Sequence, residues 1–245
     1  MKLETPFTIA AKELKVLRRK KSIIYSVVIL PILLSALFSL VIRNQVASGN
    51  QVGSGTLALG LESLIYFFVV LAAILPSSIA AYSIVGEKVE KSLEPLLATP
   101  TTDGEILLGK SIAAFVPPIL ATWAGASIFM AAADYILYNG LSYYYFPNWS
   151  SGVMLLLLAP LAAIFSIELT VIASSRVSDV RSANQIGILM NIPFMAVFLA
   201  GATGLVTLNI DNLLIFSGIV LIADAALFFL STSTFNREEI LTKWK

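Results

Sequence analysis

The chain has 245 residues, of which 58% are apolar and only 13% are charged, and its mean hydropathy is +0.88. That balance lies far outside the composition of a soluble domain and indicates a protein of the lipid bilayer, while a net charge of only +1 offers no bulk basicity for binding nucleic acid. The absence of cysteine and histidine excludes disulfides, thiolate catalysis, histidine-activated nucleophiles and histidine-containing zinc sites.

The first predicted element is an amphipathic helix over residues 5–21. Thr5 and Pro6 suit the cap and the first turn of a helix. Apolar residues at Phe7, Ala10, Leu14 and Leu17 share one face, and basic residues occupy Lys12, Lys15, Arg18 and Arg19. This pattern is typical of a helix that lies on the lipids of the inner leaflet.

Six long apolar runs follow this helix. A membrane-spanning helix needs about 20 mostly apolar residues, and runs of that kind cover residues 23–42, 57–85, 111–137, 153–174, 186–206 and 213–233. None of the six contains lysine or arginine. The sequence therefore predicts an all-α, polytopic membrane protein with six transmembrane helices after the interfacial helix.

Residues 86–110, between the second and third spans, form a polar connection. Its apolar residues at helical spacing are Val89, Leu93, Leu96 and Leu97, and its acidic residues on another side are Glu87, Glu90 and Glu94. Glu90 and Glu94 repel each other at this i,i+4 spacing, which favours a cationic partner, and Pro95 should break the helix. The segment is either an ordinary solvated loop helix or a docking surface for a cytoplasmic protein.

Residues 104–111 read GEILLGKS and match the nucleotide-binding pattern GxxxxGK[ST]. A phosphate loop follows a buried strand, whereas the preceding LATPTTD is rich in turn-forming residues. Thr102 and Glu105 fit a capping box, which predicts that a helix begins at Asp103 or Gly104. We interpret the match as accidental and expect no ATP hydrolysis by this chain. Lys110 is then expected to extend its ammonium group along the membrane interface into the cytoplasm.

Aromatic residues cluster after the third span, as they do at the level of lipid headgroups. They are Tyr138, Tyr143, Tyr144, Tyr145, Phe146 and Trp149.

Two acids lie inside the later spans. Glu168 is about 9 Å from the cytoplasmic end of span four, and Asp224 is about 17 Å into span six, at about 1.5 Å per residue. Acids at the membrane centre cost about 2.5–3.5 kcal/mol and normally face protein or a water-filled path. Either they are hydrogen-bonded to neighbouring backbone or serine groups, or they serve the transport path or a dimer interface.

The basic residues are distributed unequally between the two sides of the membrane. Fifteen of the sixteen fall in the segments on one side, and Arg43 alone falls on the other. Basic residues are retained on the cytoplasmic side of a membrane, so both termini are expected in the cytoplasm. The protein is expected in the plasma membrane.

Three segments resemble those of a known protein family. GEKVEKSLEPLLATPTTDGEILLGK resembles the signature cytoplasmic loop of ABC-2 type permeases, the membrane subunits of ATP-binding-cassette exporters. ASSRVSDVRSANQ and FNREEILTKWK resemble the second cytoplasmic loop and the C-terminal tail of that family.

The resemblance implies that two permeases, here a homodimer, pack side by side and that each sits on a separate ATPase subunit. ATP and Mg²⁺ would be bound by that ATPase, with no cofactor on this chain. The residues expected to couple to the ATPase are Glu87, Glu90, Leu93, Glu94, Pro95, Leu96 and Leu97.

Two other functions are compatible with the sequence. A stand-alone ion- or proton-coupled transporter would use Glu168 and Asp224 as its cation sites. An intramembrane enzyme has weaker support, because its chemistry would need an acid pair and these two acids are expected at different depths.

Overall fold

A computed structural model describes residues 4–47, 55–86, 102–141, 143–177 and 179–234. Within these ranges the chain forms nine α-helices and no strand, which confirms the predicted all-α class. In chain order the helices are α1 (Glu4–Arg19), α2 (Lys21–Ala47), α3 (Gly55–Ala81), α4 (Asp103–Leu141), α5 (Trp149–Val153), α6 (Ala159–Arg176), α7 (Val180–Leu189), α8 (Ile192–Ala202) and α9 (Ile210–Thr234). A π-helical turn, Tyr82–Gly86, extends α3, and another, Met154–Leu158, joins α5 to α6.

Most of these helices are long and apolar. Five are able to cross a membrane by length and composition, and α7 with α8 makes a sixth span if the bent pair is counted as one. The five cover Ser22–Ala47, Ala58–Gly86, Gly104–Tyr138, Trp149–Ser174 and Ile210–Ser231. The prediction of a multi-pass α-helical membrane protein is therefore confirmed.

The fifth predicted span, 186–206, differs from the structure in its continuity. Its residues are divided between α7, which begins earlier at Val180, and α8, and these helices meet at an angle of 41°. Pro193 accounts for the bend, because it has no N–H group to bond the preceding turn. The segment then ends at Ala202, and Gly204 takes the positive φ of 75° that terminates the helix.

Helix α3 lies at the centre of the bundle. Of its spanning window 78% is buried, against 17% for α2 and 22% for α9. It packs against α4, α6, α7 and α8 and contributes Tyr66 and Phe68 to the largest buried cluster. The backbones of α2 and α4 are in close contact, since a Cβ on Gly125 would lie 2.7 Å from the Cβ of Pro31. Small residues at a crossing allow this approach in a membrane, where apolar surface alone does not draw helices together.

Two acids fix the segment that joins α4 to α5. Asp134 accepts the backbone N–H groups of Tyr145 at 2.9 Å and Phe146 at 3.0 Å. Glu62 of α3 accepts the Tyr145 hydroxyl at 3.1 Å and the Asn148 amide at 2.7 Å. Burial, together with the neighbouring Glu62 carboxylate, raises the pKa of Tyr145, so this phenol stays a hydrogen-bond donor.

The aromatic cluster near this segment is only partly at the surface. Tyr138, Tyr143, Tyr144 and Trp149 are exposed, as interfacial anchors are. Phe146 is only 4% exposed and belongs to the main buried cluster, so its prediction as an interfacial residue was wrong. The hydrogen bond from the Phe146 backbone N–H to Asp134 holds this residue inside the protein, so its ring is buried.

Candidate functional site

A buried network of polar side chains lies where α1 crosses the start of α4, beside the end of α3. We call this side of the bundle the α1 end. The seven predicted coupling residues, Glu87, Glu90, Leu93, Glu94, Pro95, Leu96 and Leu97, lie outside the described residues. The structure instead defines the two helical attachments of their segment, the π-helical turn after α3 and the first turn of α4.

The second attachment is a capping box. The backbone N–H of Glu105 donates to Thr102 Oγ1 at 3.3 Å, and the backbone N–H of Thr102 donates to Glu105 Oε2 at 3.1 Å. Helix α4 begins at Asp103, as the sequence predicted. Two N–H groups that a helix end leaves without partners are bonded here, so the position at which the connection becomes helix is well defined.

A buried ion pair joins three elements at the α1 end. Lys110 Nζ lies 3.3 Å from Glu13 Oε1, and the two side chains are 2% and 5% exposed. The same ammonium group donates to the carbonyl of Ser83 at 2.7 Å and to its hydroxyl at 3.2 Å. The Ser83 hydroxyl donates in turn to Glu13 Oε2 at 3.1 Å. An ammonium group has three donors, and these contacts link α1, the π-helical turn after α3, and α4.

The prediction that Lys110 reaches the cytoplasm was therefore wrong. Helix α1 covers this part of α4, so the ammonium group has no path to solvent, and Glu13 supplies the opposite charge that makes burial tolerable. A charge on the apolar face of α1 was the available signal. Glu13 shares that face with Ala10 and Leu17, one and two helical turns away.

The buried face of α1 also differs from the predicted one. The residues turned toward the protein are Ile9, Ala10, Glu13 and Leu17, whereas Phe7 is 62% exposed. Helix α1 is thus docked on α4 as a protein contact along that face. Its basic residues remain on the outer surface, where Lys12, Lys15, Arg18 and Arg19 are exposed.

The nucleotide-binding pattern has a structural explanation at this contact. Residues Gly104 to Ser111 form the first turns of α4, so they do not make a phosphate loop. A Cβ on Gly109 would lie 2.7 Å from the Cβ of Ile9 and 2.9 Å from the carbonyl oxygen of Pro6. Gly109 therefore allows α1 to approach, and Lys110 is bonded to Glu13 and Ser83.

The two membrane acids lie together. Glu168 and Asp224 are 8% and 6% exposed, and their carboxyl groups are near enough for the charge of one to affect the other. Helices α6 and α9 continue to Arg176 and Thr234, which puts the acids about 12 Å and about 15 Å from those ends at about 1.5 Å per residue. The expectation of different depths was wrong, because α6 and α9 pack side by side and bring the two acids near each other.

These acids lack hydrogen bonds from the described residues. Glu168 Oε2 and both carboxyl oxygens of Asp224 are buried without such a partner. Buried polar atoms are nearly always hydrogen-bonded, so an exception points to a partner outside the described residues.

Sequence reasoning missed a polar contact between α3, α6 and the broken span. The hydroxyls of Ser77 and Ser78 donate to Asn184 Oδ1 at 3.1 and 3.2 Å. The Asn191 amide donates to the Gly187 carbonyl at 2.7 Å and to another serine, Ser166, at 3.1 Å. Small polar residues within apolar runs were the signal, since such side chains bond across helices in a membrane.

Among the described residues, no group of three or more acidic side chains is placed to hold a metal ion. The profile of the family described as ABC-2 family transporter protein matches residues 7–216. No curated protein matches the chain. The matched range includes the ion pair of the α1 end and Glu168, and Asp224 follows it.

Proposed function

The chain belongs to the ABC-2 transporter family, and from this premise we propose that it is the permease subunit of an ATP-binding-cassette exporter. Two copies form the translocation pathway as a homodimer. Separate ATPase subunits bind ATP and Mg²⁺, dock on residues 86–110 and drive transport. This chain binds neither nucleotide nor metal.

The buried contact between Glu13, Ser83 and Lys110 is the observation that best supports this role. The residues expected to meet the ATPase lie between Ser83 and Lys110, so a force on that segment acts on both helices at once. Because Glu13 bonds to both partners, α1 would move with them. A hydrogen-bonded ion pair with little exposure keeps a defined geometry, which suits a joint that transmits movement.

The distribution of charge supports a cytoplasmic position for the α1 end. The exposed basic residues of α1 lie there, and Arg181 lies at the start of α7 on the same side. We therefore place both termini and the ATPase in the cytoplasm and the segment between α4 and α5 outside.

The exposed apolar surface has room for a second copy, because apolar surface in a bilayer is covered either by lipid or by another protein. Helices α2 and α9 are the least buried of the spanning helices. We place the contact with the second copy on one of these two helices, and lipid covers the other.

Charge reversal in the coupling segment tests the proposal. The variant with Glu90→Lys and Glu94→Lys should lose the separate ATPase on co-purification and lower the ATP hydrolysis of the pair to that of the ATPase alone. Asp211→Lys is the matched control, because Asp211 is an exposed acid at the opposite end of the bundle. Full ATPase binding and hydrolysis by the double variant would refute docking at this segment.

The pair of acids favours a second candidate, a stand-alone ion- or proton-coupled transporter in which Glu168 and Asp224 bind the coupling cation. Transport by proteoliposomes that contain this chain alone, driven by an ion gradient and abolished by Glu168→Gln, would support that candidate against the exporter.

A further inference from the structure

A cavity of about 280 Å³ lies between α4, α6 and α9 in the half of the bundle nearer the α1 end. It is partly open to the surface of the bundle. Most of its wall is apolar, with Ile112 and Phe115 from α4, Ile164 from α6 and Phe228 from α9. Its volume is near the lower end of the range of small-molecule sites.

Two serines, Ser111 and Ser231, and one acid interrupt this apolar wall. Glu168 lines the cavity, is more than nine-tenths buried, and has a carboxyl oxygen without a hydrogen bond from the described residues. The carboxyl group of Asp224 is close enough to interact with it. The cavity thus has an acidic group that lacks a donor, in surroundings where charge interactions are strong.

The described side chains around the cavity supply no cation to it. Helix α9 contains neither lysine nor arginine, and the single basic residue of α4 is Lys110. Its ammonium group is bonded to Glu13 and Ser83, away from the cavity residues of α4. The single basic residue of α6 is Arg176, its last residue, about 12 Å along the helix from Glu168 at about 1.5 Å per residue.

We propose that this cavity binds a protonated amine attached to an apolar group, with the ammonium N–H donating to Glu168. Apolar walls select the hydrocarbon part, the missing donor selects an ammonium with N–H groups, and Asp224 adds to the negative potential. The shared chemistry is that of soluble lipophilic amines and of the primary-amine headgroup of phosphatidylethanolamine. The site is a property of the chain alone and does not depend on the proposed ATPase.

The test is a fluorescence titration with monodansylcadaverine, a primary amine on an apolar dye. The purified full-length chain is placed in phosphatidylcholine nanodiscs, which contain no primary amine. The N-acetylated probe, which lacks the charge, measures partition into lipid. Saturable binding of the amine alone is expected, because hydrogen bonds to charged groups contribute more than neutral ones.

Three variants separate the site from the rest of the protein. Glu168→Gln should weaken binding by about tenfold or more, and Ile164→Trp should abolish it by filling the cavity while both acids are kept. Glu62→Gln is the control and should bind the probe as the parent chain does. Glu62 is a half-buried acid on α3 that accepts two hydrogen bonds. Thermal unfolding of each variant in the same nanodiscs identifies any that fails to fold.

Nanodiscs with phosphatidylethanolamine as a third of the lipid distinguish the two sources of amine. Competition with the probe there assigns the site to the lipid headgroup, and unchanged binding assigns it to soluble amines. Equal binding of the amine and its acetylated form, or full binding by a folded Glu168→Gln chain, would overturn the proposal.

Discussion

At the scale of single residues, Lys110 is the residue whose role depends most on its surroundings. By sequence it completes a nucleotide-binding pattern, and by position near a membrane surface it should reach water. In the structure Lys110 lies neither in a phosphate loop nor in contact with water, because its ammonium group is bonded to Glu13 and Ser83 inside the protein. Removal of two ions from water costs several kcal/mol each, so such a pair persists only with good geometry.

Loss of one partner of this pair should destabilise the fold strongly. Lys110→Met leaves the Glu13 carboxylate buried without its counter-charge, and the free energy of unfolding should fall by about 3–5 kcal/mol. Unfolding by sodium dodecyl sulfate, followed by circular dichroism, measures this change.

The double variant Glu13→Leu with Lys110→Met should recover most of that stability, because no uncompensated charge remains. Lys15→Met, which removes an exposed lysine from the same helix α1, is the control and should change stability little. A double variant as unstable as Lys110→Met alone would show that the charges are not what matters at this contact.

At the scale of helices, the contact between α1 and α4 explains one glycine of the nucleotide-binding pattern and leaves the other without a packing role. Gly109 lies against the backbone of α1, whereas a Cβ on Gly104 would meet nothing within 4 Å. In a phosphate loop both glycines would be needed for backbone conformation. In a helix, only the glycine at the crossing is needed.

The two glycines should therefore respond in opposite ways to alanine. Gly109→Ala should press on Pro6 and Ile9 of α1, push that helix away from α4, and destabilise the protein by about 1–3 kcal/mol, as overpacking does. Gly104→Ala should be neutral or stabilise by up to about 1 kcal/mol, because alanine favours helix. Cleavage of α1 by trypsin at its exposed basic residues measures the docking of this helix. Equal protection of α1 in the two variants would contradict the packing described here.

Some features of these helices could be predicted from the sequence and others could not. Hydropathy located the spans, and the pairing of Thr102 with Glu105 located the start of α4, because both depend on residues near each other in the chain. The buried face of α1, the burial of Lys110 and the proximity of Glu168 to Asp224 depend on which helices become neighbours. Pro193 and Asn191 marked the break in the fifth span locally, but a proline in a membrane helix is compatible with a continuous helix too.

At the scale of the whole molecule, orientation is the property on which the proposed coupling rests. The chain contains no cysteine, so single cysteines are clean reporters. Tyr144→Cys, at an exposed position between α4 and α5, should react with a membrane-impermeant maleimide on intact cells. Lys91→Cys should react only after permeabilisation. The reverse pattern would place the coupling segment outside and rule out a cytoplasmic ATPase partner.

The most direct test of the central claim, that this permease takes its energy from a separate ATPase, is ATP hydrolysis by the purified chain in proteoliposomes, alone and with the ATPase that co-purifies with it. We predict no hydrolysis by the chain alone, and hydrolysis with the partner that falls to the rate of the ATPase alone when Glu90 and Glu94 are changed to lysine. ATP hydrolysis by the pure chain, lost in Lys110→Met while the variant remains folded, would contradict the account and restore the GEILLGKS segment as a nucleotide site.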